Sequence, residues 1–188
     1  YATQTSTYWM PIYRSKDLVN WEYQKTAFTQ DTKPSLSGGG AFWAPEMTYI
    51  NGKYVLYFSW AKMNGADVSY TAVAVSDSPL GPFPNSKALI TNEEFGSNVI
   101  DQFYYEENGK KYMFFGSFKG IYVTELTDDG LSVKRDVDGM PVLKKQVCGN
   151  AFEGTNIYKK NGYYKGINLS GTTSKNKFDV KLYLTYNT

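Results

Sequence analysis

The 188-residue sequence contains no histidine and only one cysteine, Cys148. Without histidine, this chain cannot supply a Ser-His-Asp triad, a Cys-His pair or a histidine-bound zinc. A single cysteine cannot form an internal disulfide, and we expect Cys148 to be a small packing residue rather than a nucleophile. Acid-base chemistry in this chain must therefore come mainly from carboxyl groups.

The chain also has little excess charge and no long apolar run. Its 20 basic and 18 acidic residues nearly balance and form no basic stripe, so we expect no nucleic-acid partner. No apolar run approaches the roughly 18 residues of a transmembrane helix, so we expect no membrane partner. Because the chain opens on Tyr1 without a signal peptide, we expect it to be a trimmed or processed form.

Aromatic residues, by contrast, are abundant: 17 Tyr, 11 Phe and 4 Trp make up 17% of the chain. Aromatic side chains favour β-strands, and they also form the flat surfaces on which sugar rings stack. Packing in a β-rich core explains most of them.

Three Asn-Gly pairs mark a repeat along the chain: Asn51-Gly52, Asn108-Gly109 and Asn161-Gly162. Each pair lies between aromatic-rich, strand-like segments, and the glycines are 57 and then 53 residues apart. Asn-Gly between alternating apolar residues predicts a tight β-hairpin, because a type I′ turn needs positive φ at both central positions.

A second landmark recurs with the first and resembles the turn that closes a unit: Ser15-Lys16-Asp17-Leu18, Ser76-Asp77-Ser78-Pro79-Leu80 and Thr127-Asp128-Asp129-Gly130-Leu131. A repeat of this length with about four short strands is typical of a propeller blade, and not of a solenoid or an immunoglobulin sandwich. The sequence thus predicts an all-β fold, a β-propeller of which about three to four blades are present.

The predicted blade limits are 1–25 for the end of the first blade, 26–89 for the second, 90–134 for the third and 135–188 for most of the fourth. Closed propellers have at least four blades. We therefore expect missing blades, or a partner chain, to be needed to close the ring.

One acidic residue precedes each Asn-Gly pair at nearly the same place: Glu46, Asp101 and Glu153. Acids among apolar residues are costly unless they have a partner or a function. Carboxylates that converge on a propeller axis suit either cation binding or glycoside hydrolysis. A structural role at strand ends is the third interpretation.

At these acids the sequence resembles glycoside hydrolase family 43, whose members are five-bladed propellers. The resemblance covers most of the chain and is carried by a set of motifs in order: Ser15 to Glu22, Phe42-Trp43-Ala44-Pro45-Glu46, Val73 to Phe83, Ile100-Asp101 and Phe152-Glu153-Gly154-Thr155. The set is specific, although any one motif alone would be weak.

The resemblance implies a role for each of five residues. Glu153 matches the general acid, and Asp101 matches the aspartate that orients this acid and tunes its pKa. Trp43 matches an aromatic wall of the sugar pocket, and Phe42 and Glu46 are expected to bind substrate beside it. The resemblance also places the general base on an inner strand upstream of Tyr1 and leaves the fifth blade outside this sequence. Gln102 departs from the small residue or proline that often follows the aspartate.

These observations predict an inverting glycoside hydrolase that acts on arabinose- or xylose-containing plant polysaccharides or oligosaccharides. Its partner would be a carbohydrate substrate, and its expected location is secreted or periplasmic. No cofactor is expected to be required, although the full-length propeller could hold a structural calcium or sodium ion. The alternatives are a non-catalytic carbohydrate-binding propeller and a structural β domain with an axial cation.

Overall fold

The structure is a computed structural model that describes residues 9–36, 40–62, 68–96, 98–171 and 178–185. For 167–171 and 178–185 the description is of the backbone. The described residues form thirteen β-strands and one short helix, α1 (Asn92–Phe95), so the predicted all-β class is confirmed. Within these ranges, no helix combines the length and the apolar character needed to cross a lipid bilayer.

The strands form four antiparallel sheets in chain order. Sheet 1 contains β1 (Pro11–Arg14) and β2 (Glu22–Thr26). Sheet 2 contains β3 (Ala41–Ile50), β4 (Lys53–Ala61), β5 (Ser69–Ser76) and β6 (Lys87–Thr91). Sheet 3 contains β7 (Phe103–Glu107), β8 (Lys110–Phe115), β9 (Ile121–Leu126) and β10 (Lys144–Cys148). Sheet 4 contains β11 (Phe152–Lys160), β12 (Tyr163–Gly171) and β13 (Phe178–Thr185).

The three predicted Asn-Gly hairpins are confirmed. Asn51, Asn108 and Asn161 have φ of 48°, 51° and 55°, and the glycine after each has φ between 76° and 81°. Positive φ at both central positions is the type I′ geometry, whose twist matches that of the two strands it joins. Each turn connects the first and second strands of its sheet.

The second landmark lies elsewhere in the blade than the sequence predicts. Its three copies connect β1 to β2, β5 to β6 and β9 to β10, so each precedes the last strand of its sheet and does not close the unit. The third blade consequently extends beyond the limit predicted at 134, because Lys144–Cys148 pairs with β9. This strand is polar and exposed, and it follows a long connection, so its residues carry little strand signal.

Both faces of sheet 2 are buried, and β4 shows how. Val55 and Tyr57 face an apolar cluster shared with sheet 3, whereas Leu56 and Phe58 face a second cluster shared with sheet 1. Successive side chains on a strand point to opposite faces, so an uninterrupted apolar run fills both interfaces. Face-to-face packing of successive sheets is the architecture of propeller blades.

The first strand of each sheet lies at an edge, and these edges meet. Sheets 2, 3 and 4 have β3, β7 and β11 at one edge, and β7 contacts both β3 and β11. The strand before each Asn-Gly turn is therefore the inner one, as predicted. Its beginning is the place where side chains from neighbouring sheets converge.

Candidate active site

A residue in the left-handed backbone conformation recurs near the beginning of each inner strand. Ala44, Asp101 and Gly154 have φ of 43°, 54° and 61°, and each lies seven residues before the Asn of its hairpin. Around Ala44 and Gly154 the strand pairing shifts register, which is the signature of a β-bulge. The repeat therefore specifies a bend in the backbone rather than an acid.

This bend corrects the interpretation that the three acids share one position. Glu46, Asp101 and Glu153 lie five, seven and eight residues before their Asn, and the strands bend between those positions. Because the pairing shifts register at the bulges, the offset from the turn does not fix the face on which each acid lies. Asp101 and Glu153 come together, and Glu46 binds elsewhere.

Asp101 and Glu153 interact directly across the interface of sheets 3 and 4. The Asp101 carboxylate accepts a hydrogen bond from the backbone N–H of Gly154, the residue after Glu153. The pKa of Asp101 is raised from 3.8 to about 6, first by burial and second by the negative charge of Glu153. A negative charge beside a buried carboxyl group disfavours its ionised form, so both causes act on Asp101 in the same direction.

The Glu153 carboxylate is oriented by Ser117, a buried residue that no sequence motif singles out. Ser117 Oγ donates to Glu153 Oε2 at 3.0 Å, and Phe118 N–H donates to the carbonyl of Phe152 at 3.0 Å. The loop that carries Ser117 needs glycine at 116, because a Cβ there would lie 2.1 Å from the Gly120 carbonyl oxygen.

Ser59, on strand β4 of sheet 2, holds the backbone of Asp101. Its Oγ accepts a hydrogen bond from the Asp101 backbone N–H at 3.0 Å, and the residue is fully buried. This bond holds Asp101 in the left-handed conformation that aims its side chain at Glu153. Ser59 follows Tyr57 on the face of β4 that meets sheet 3, and a polar residue in this apolar run was the available sequence signal.

Glu46 lies in the interface of sheets 2 and 3. Its Oε2 accepts the backbone N–H of Tyr104 at 2.8 Å, on the open side of the edge strand β7. Burial raises its pKa from 4.5 to about 7, and its charge contributes to the raised pKa of Tyr57 and Tyr104. The carboxylate thus satisfies a backbone donor at the edge of the sheet. Its contact with substrate remains a prediction.

Trp43 and Phe42 are consecutive on β3 and therefore point to opposite faces. Phe42 stacks on Phe28 with ring centroids 5.3 Å apart and meets Trp60 edge-on at 5.0 Å, in the cluster between sheets 1 and 2. These contacts make Phe42 a packing residue of that cluster. Trp43 is partly exposed at the bulge, opposite Ser59 in the strand register, and so lies on the side of the acid pair.

A cleft of about 400 Å³ lies between the apolar faces of sheets 3 and 4. Its lining includes Tyr105, Phe114, Ile121 and Ile157. Neither carboxyl group of the acid pair is part of that lining. Hydrolysis needs a carboxyl group as its general acid, so the acids, and not this cleft, mark the candidate site.

A cation site is the second interpretation of the three acids. In the part of the chain that the structure describes, no three Asp, Glu, Cys or His side chains are grouped as ligands of one ion. Glu46 accepts the Tyr104 N–H, whereas Asp101 accepts the Gly154 N–H and interacts electrostatically with Glu153. The described acids therefore do not form an axial cation site together.

Comparison with known proteins gives a consistent result. The family model described as glycosyl hydrolases family 43 matches residues 1–177. The chain is 29% identical over 163 residues to an extracellular endo-alpha-(1->5)-L-arabinanase of Bacillus subtilis, with 81% of this chain and 49% of that protein covered. It is 30% identical over 201 residues to a xylan 1,3-beta-xylosidase of a Vibrio species, with 94% of this chain and 35% of that protein covered.

The solved structures show the same fold. An endo-arabinase from Bacteroides thetaiotaomicron superposes with a TM-score of 0.69 at 24% identity, over 93% of this chain and 66% of that one. The solved structures that the chain matches are five-bladed β-propellers, of which it covers a part. The chain spans about half the length, or less, of the curated relatives named above.

Proposed function

The chain belongs to glycoside hydrolase family 43, and we propose that the full-length protein hydrolyses glycosidic bonds in arabinose- or xylose-containing plant polysaccharides, with inversion. The observation that carries the proposal is the Asp101–Glu153 pair, held across two sheets by Ser59, Ser117 and the Gly154 N–H. Glycoside hydrolysis requires a general acid and a general base. In this proposal the pair supplies the acid, Glu153, together with the aspartate that orients it.

Glu153 is the general acid in this proposal. The carboxyl group transfers its proton to the glycosidic oxygen as the bond from that oxygen to the anomeric carbon breaks, so the leaving sugar departs as a neutral alcohol. Ser117 donates its hydroxyl hydrogen to Oε2. A carboxyl oxygen that accepts this bond leaves Oε1 as the site of the transferable proton.

Asp101 acts through Glu153 rather than on the sugar. By the family resemblance it is the aspartate that orients this acid, and the charge of Glu153 contributes, after burial, to the raised pKa of Asp101. The bond from Gly154 N–H fixes the Asp101 carboxylate relative to the residue that follows the acid.

The general base lies, by the family resemblance, upstream of Tyr1. An inverting mechanism requires it roughly 6.5–9.5 Å from the acid, so that a water molecule fits between the base and the anomeric carbon. This water adds its oxygen to the anomeric carbon and gives its proton to the base.

The substrate class is supported by the relatives. The Bacillus subtilis relative is named an arabinanase and the Vibrio relative a xylosidase, and the former is named extracellular. Secretion is accordingly part of the proposal. Trp43 would provide the flat apolar surface on which a sugar ring stacks beside the acids.

The proposal is tested by incubating the full-length protein with arabinan, xylan and galactan and following reducing ends, with proton NMR of the first anomer released. Release from arabinan or xylan with inverted configuration is expected. Retained configuration would overturn the mechanism. Calorimetric binding of the same sugars without any release would support the non-catalytic carbohydrate-binding alternative.

A further inference from the structure

Gln102 is a buried glutamine with a hydrogen bond at each end of its side-chain amide. Its Oε1 accepts from Ser59 Oγ at 2.9 Å, and its Nε2 donates to the backbone carbonyl of Ala44. The residue retains 6% exposure, so the amide bonds to protein groups in place of water. A buried amide with both ends bonded is a strong restraint on whatever it connects.

The orientation of this amide follows from its partners. Ser59 Oγ accepts the Asp101 N–H, so the Ser59 hydroxyl hydrogen is available for an acceptor, which is Gln102 Oε1. The Ala44 carbonyl can only accept, so the NH₂ end must face it. Exchange of the two ends would set oxygen against the carbonyl of Ala44.

The two backbone positions connected by this network are both left-handed. Ala44 is the centre of the bulge after Trp43, and Asp101 carries the carboxylate of the acid pair. A residue with a Cβ atom is strained in this conformation, which therefore persists where neighbouring contacts hold it. Gln102 binds the Ala44 carbonyl directly and reaches the Asp101 N–H through Ser59.

We propose that Gln102 is a positioning residue that couples the Trp43 bulge to the Asp101–Glu153 pair, and thereby sets the sugar-stacking surface relative to the acids. This inference rests on the proposed glycosidase function. The coupling passes through three hydrogen bonds between sheet 2 and the residues that lead into β7, and it touches neither substrate nor reacting atoms. It gives a reason for glutamine at a position where the family resemblance predicts a small residue or proline.

The substitution Gln102→Glu makes the coupling testable within one protein sample. In its neutral form the introduced carboxyl keeps the shape of glutamine and can still donate to the Ala44 carbonyl. In its ionised form it has no hydrogen, and it faces the Ala44 carbonyl with a repulsive charge. We call the hydrogen bonds of side chain 102 to Ser59 and to the Ala44 carbonyl the clamp. In Gln102→Glu the clamp should be present at acid pH and lost as pH rises.

The experiment compares kcat and KM of full-length Gln102→Glu with the unmodified protein across the pH range, on arabinan and xylan. Glu46, Asp101 and Glu153, the acids on the neighbouring elements, are present in both proteins, so the ratio of the two activities isolates the introduced group. We expect kcat/KM to fall by about 100-fold at alkaline pH, with changes in both kcat and KM, and to recover on acidification. Gln30→Glu, at an exposed turn, serves as the matched control.

Gln102→Met, which keeps the length of the side chain and has no hydrogen bonds, should lose activity to a similar degree at every pH. A purely structural role predicts a smaller active fraction with unchanged KM in both variants, and that result would overturn the proposal. If Gln102→Met does not fold, the KM of Gln102→Glu at alkaline pH still decides the matter, because a smaller folded fraction lowers the total activity and leaves KM unchanged.

A readout without activity separates this inference from the proposed function. In protein labelled on glutamine with a nitrogen isotope, the Gln102 NH₂ protons should exchange slowly with solvent, and Ser59→Ala should accelerate this exchange. Slow exchange in a protein without hydrolase activity would support the hydrogen bonds of Gln102 and contradict the proposed glycosidase function. Fast exchange in an active enzyme would contradict the positioning role of Gln102 and leave the proposed glycosidase function standing.

Discussion

Glu46 and Asp101 carry carboxyl groups that are partly buried in the folded protein. Ionisation of these groups destabilises the folded state. Burial is the largest cause of the raised pKa in both, which reaches about 7 for Glu46 and about 6 for Asp101. A carboxyl group whose pKa is higher in the folded than in the unfolded protein binds more protons when folded. Its contribution to stability is therefore greatest at acid pH and is lost as pH rises.

We predict that Glu46→Gln stabilises the full-length protein at pH values above about 7 and has little effect below about pH 4.5. The amide oxygen can still accept the Tyr104 N–H, and the buried charge is gone. A rise in pKa from 4.5 to about 7 corresponds to at most about 3 kcal/mol. Urea denaturation at several pH values measures the difference.

Glu93→Gln in α1, an exposed acid, is the control for that series and should show no such pH dependence. An equal stability difference between Glu46→Gln and the unmodified protein at all pH values would contradict the burial of the ionised carboxylate.

Ser117 provides the second prediction at the scale of one residue. Ser117→Ala removes the donor to Glu153 Oε2, so the acid loses its fixed orientation. We expect kcat on arabinan or xylan to fall about 10-fold with KM nearly constant, because the proton transfer occurs in the transition state. Ser35→Ala, at an exposed loop position, should be unaffected. An unchanged kcat in Ser117→Ala would remove Ser117 from the site.

At the scale of elements, the sequence predicts a turn or strand where the local residue types specify its backbone conformation. The Asn-Gly hairpins follow from two residues each, since only a few residue types accept positive φ. The bulge at Ala44 has no such marker, because alanine gives no warning of a left-handed conformation that contacts from Gln102 hold in place. The sequence places strand β10 in the wrong blade because a long connection separates it from its partner β9.

Two glycines with positive φ should respond differently to alanine. Gly109 lies in a hairpin where no other atom comes within 4 Å of the point that a Cβ would occupy, so Gly109→Ala should cost only the conformational strain of about 1 kcal/mol. Gly116→Ala must also move the Gly120 carbonyl, and with it the Ser117 loop. We expect a larger loss of stability in urea and a fall in kcat for Gly116→Ala alone. Equal stability losses and full activity in both variants would contradict the geometry of the loop between β8 and β9.

At the scale of the whole molecule, the sheets stack in chain order and the site forms where their inner strands meet. The sequence predicts the propeller because its repeat is visible in one dimension, and it predicts the Asp101–Glu153 pair through the motifs of the family resemblance. Ser59, Ser117 and the amide of Gln102 act across sheet interfaces, 42, 36 and 58 residues from the groups they bind. Contacts of this kind depend on packing, and periodicity in the sequence does not reveal them.

Glu153 donates the proton to the leaving group in the proposed mechanism, and the dependence of the rate on the leaving group tests this role most directly. Nitrophenol leaves without much help from an acid, whereas a sugar alcohol does not. For full-length Glu153→Gln we predict a loss of kcat/KM of about 1,000-fold on arabinan or xylan and a much smaller loss on the matching nitrophenyl glycoside. Equal losses on both substrates, or full activity on the polysaccharide, would contradict the assignment of Glu153 as the general acid.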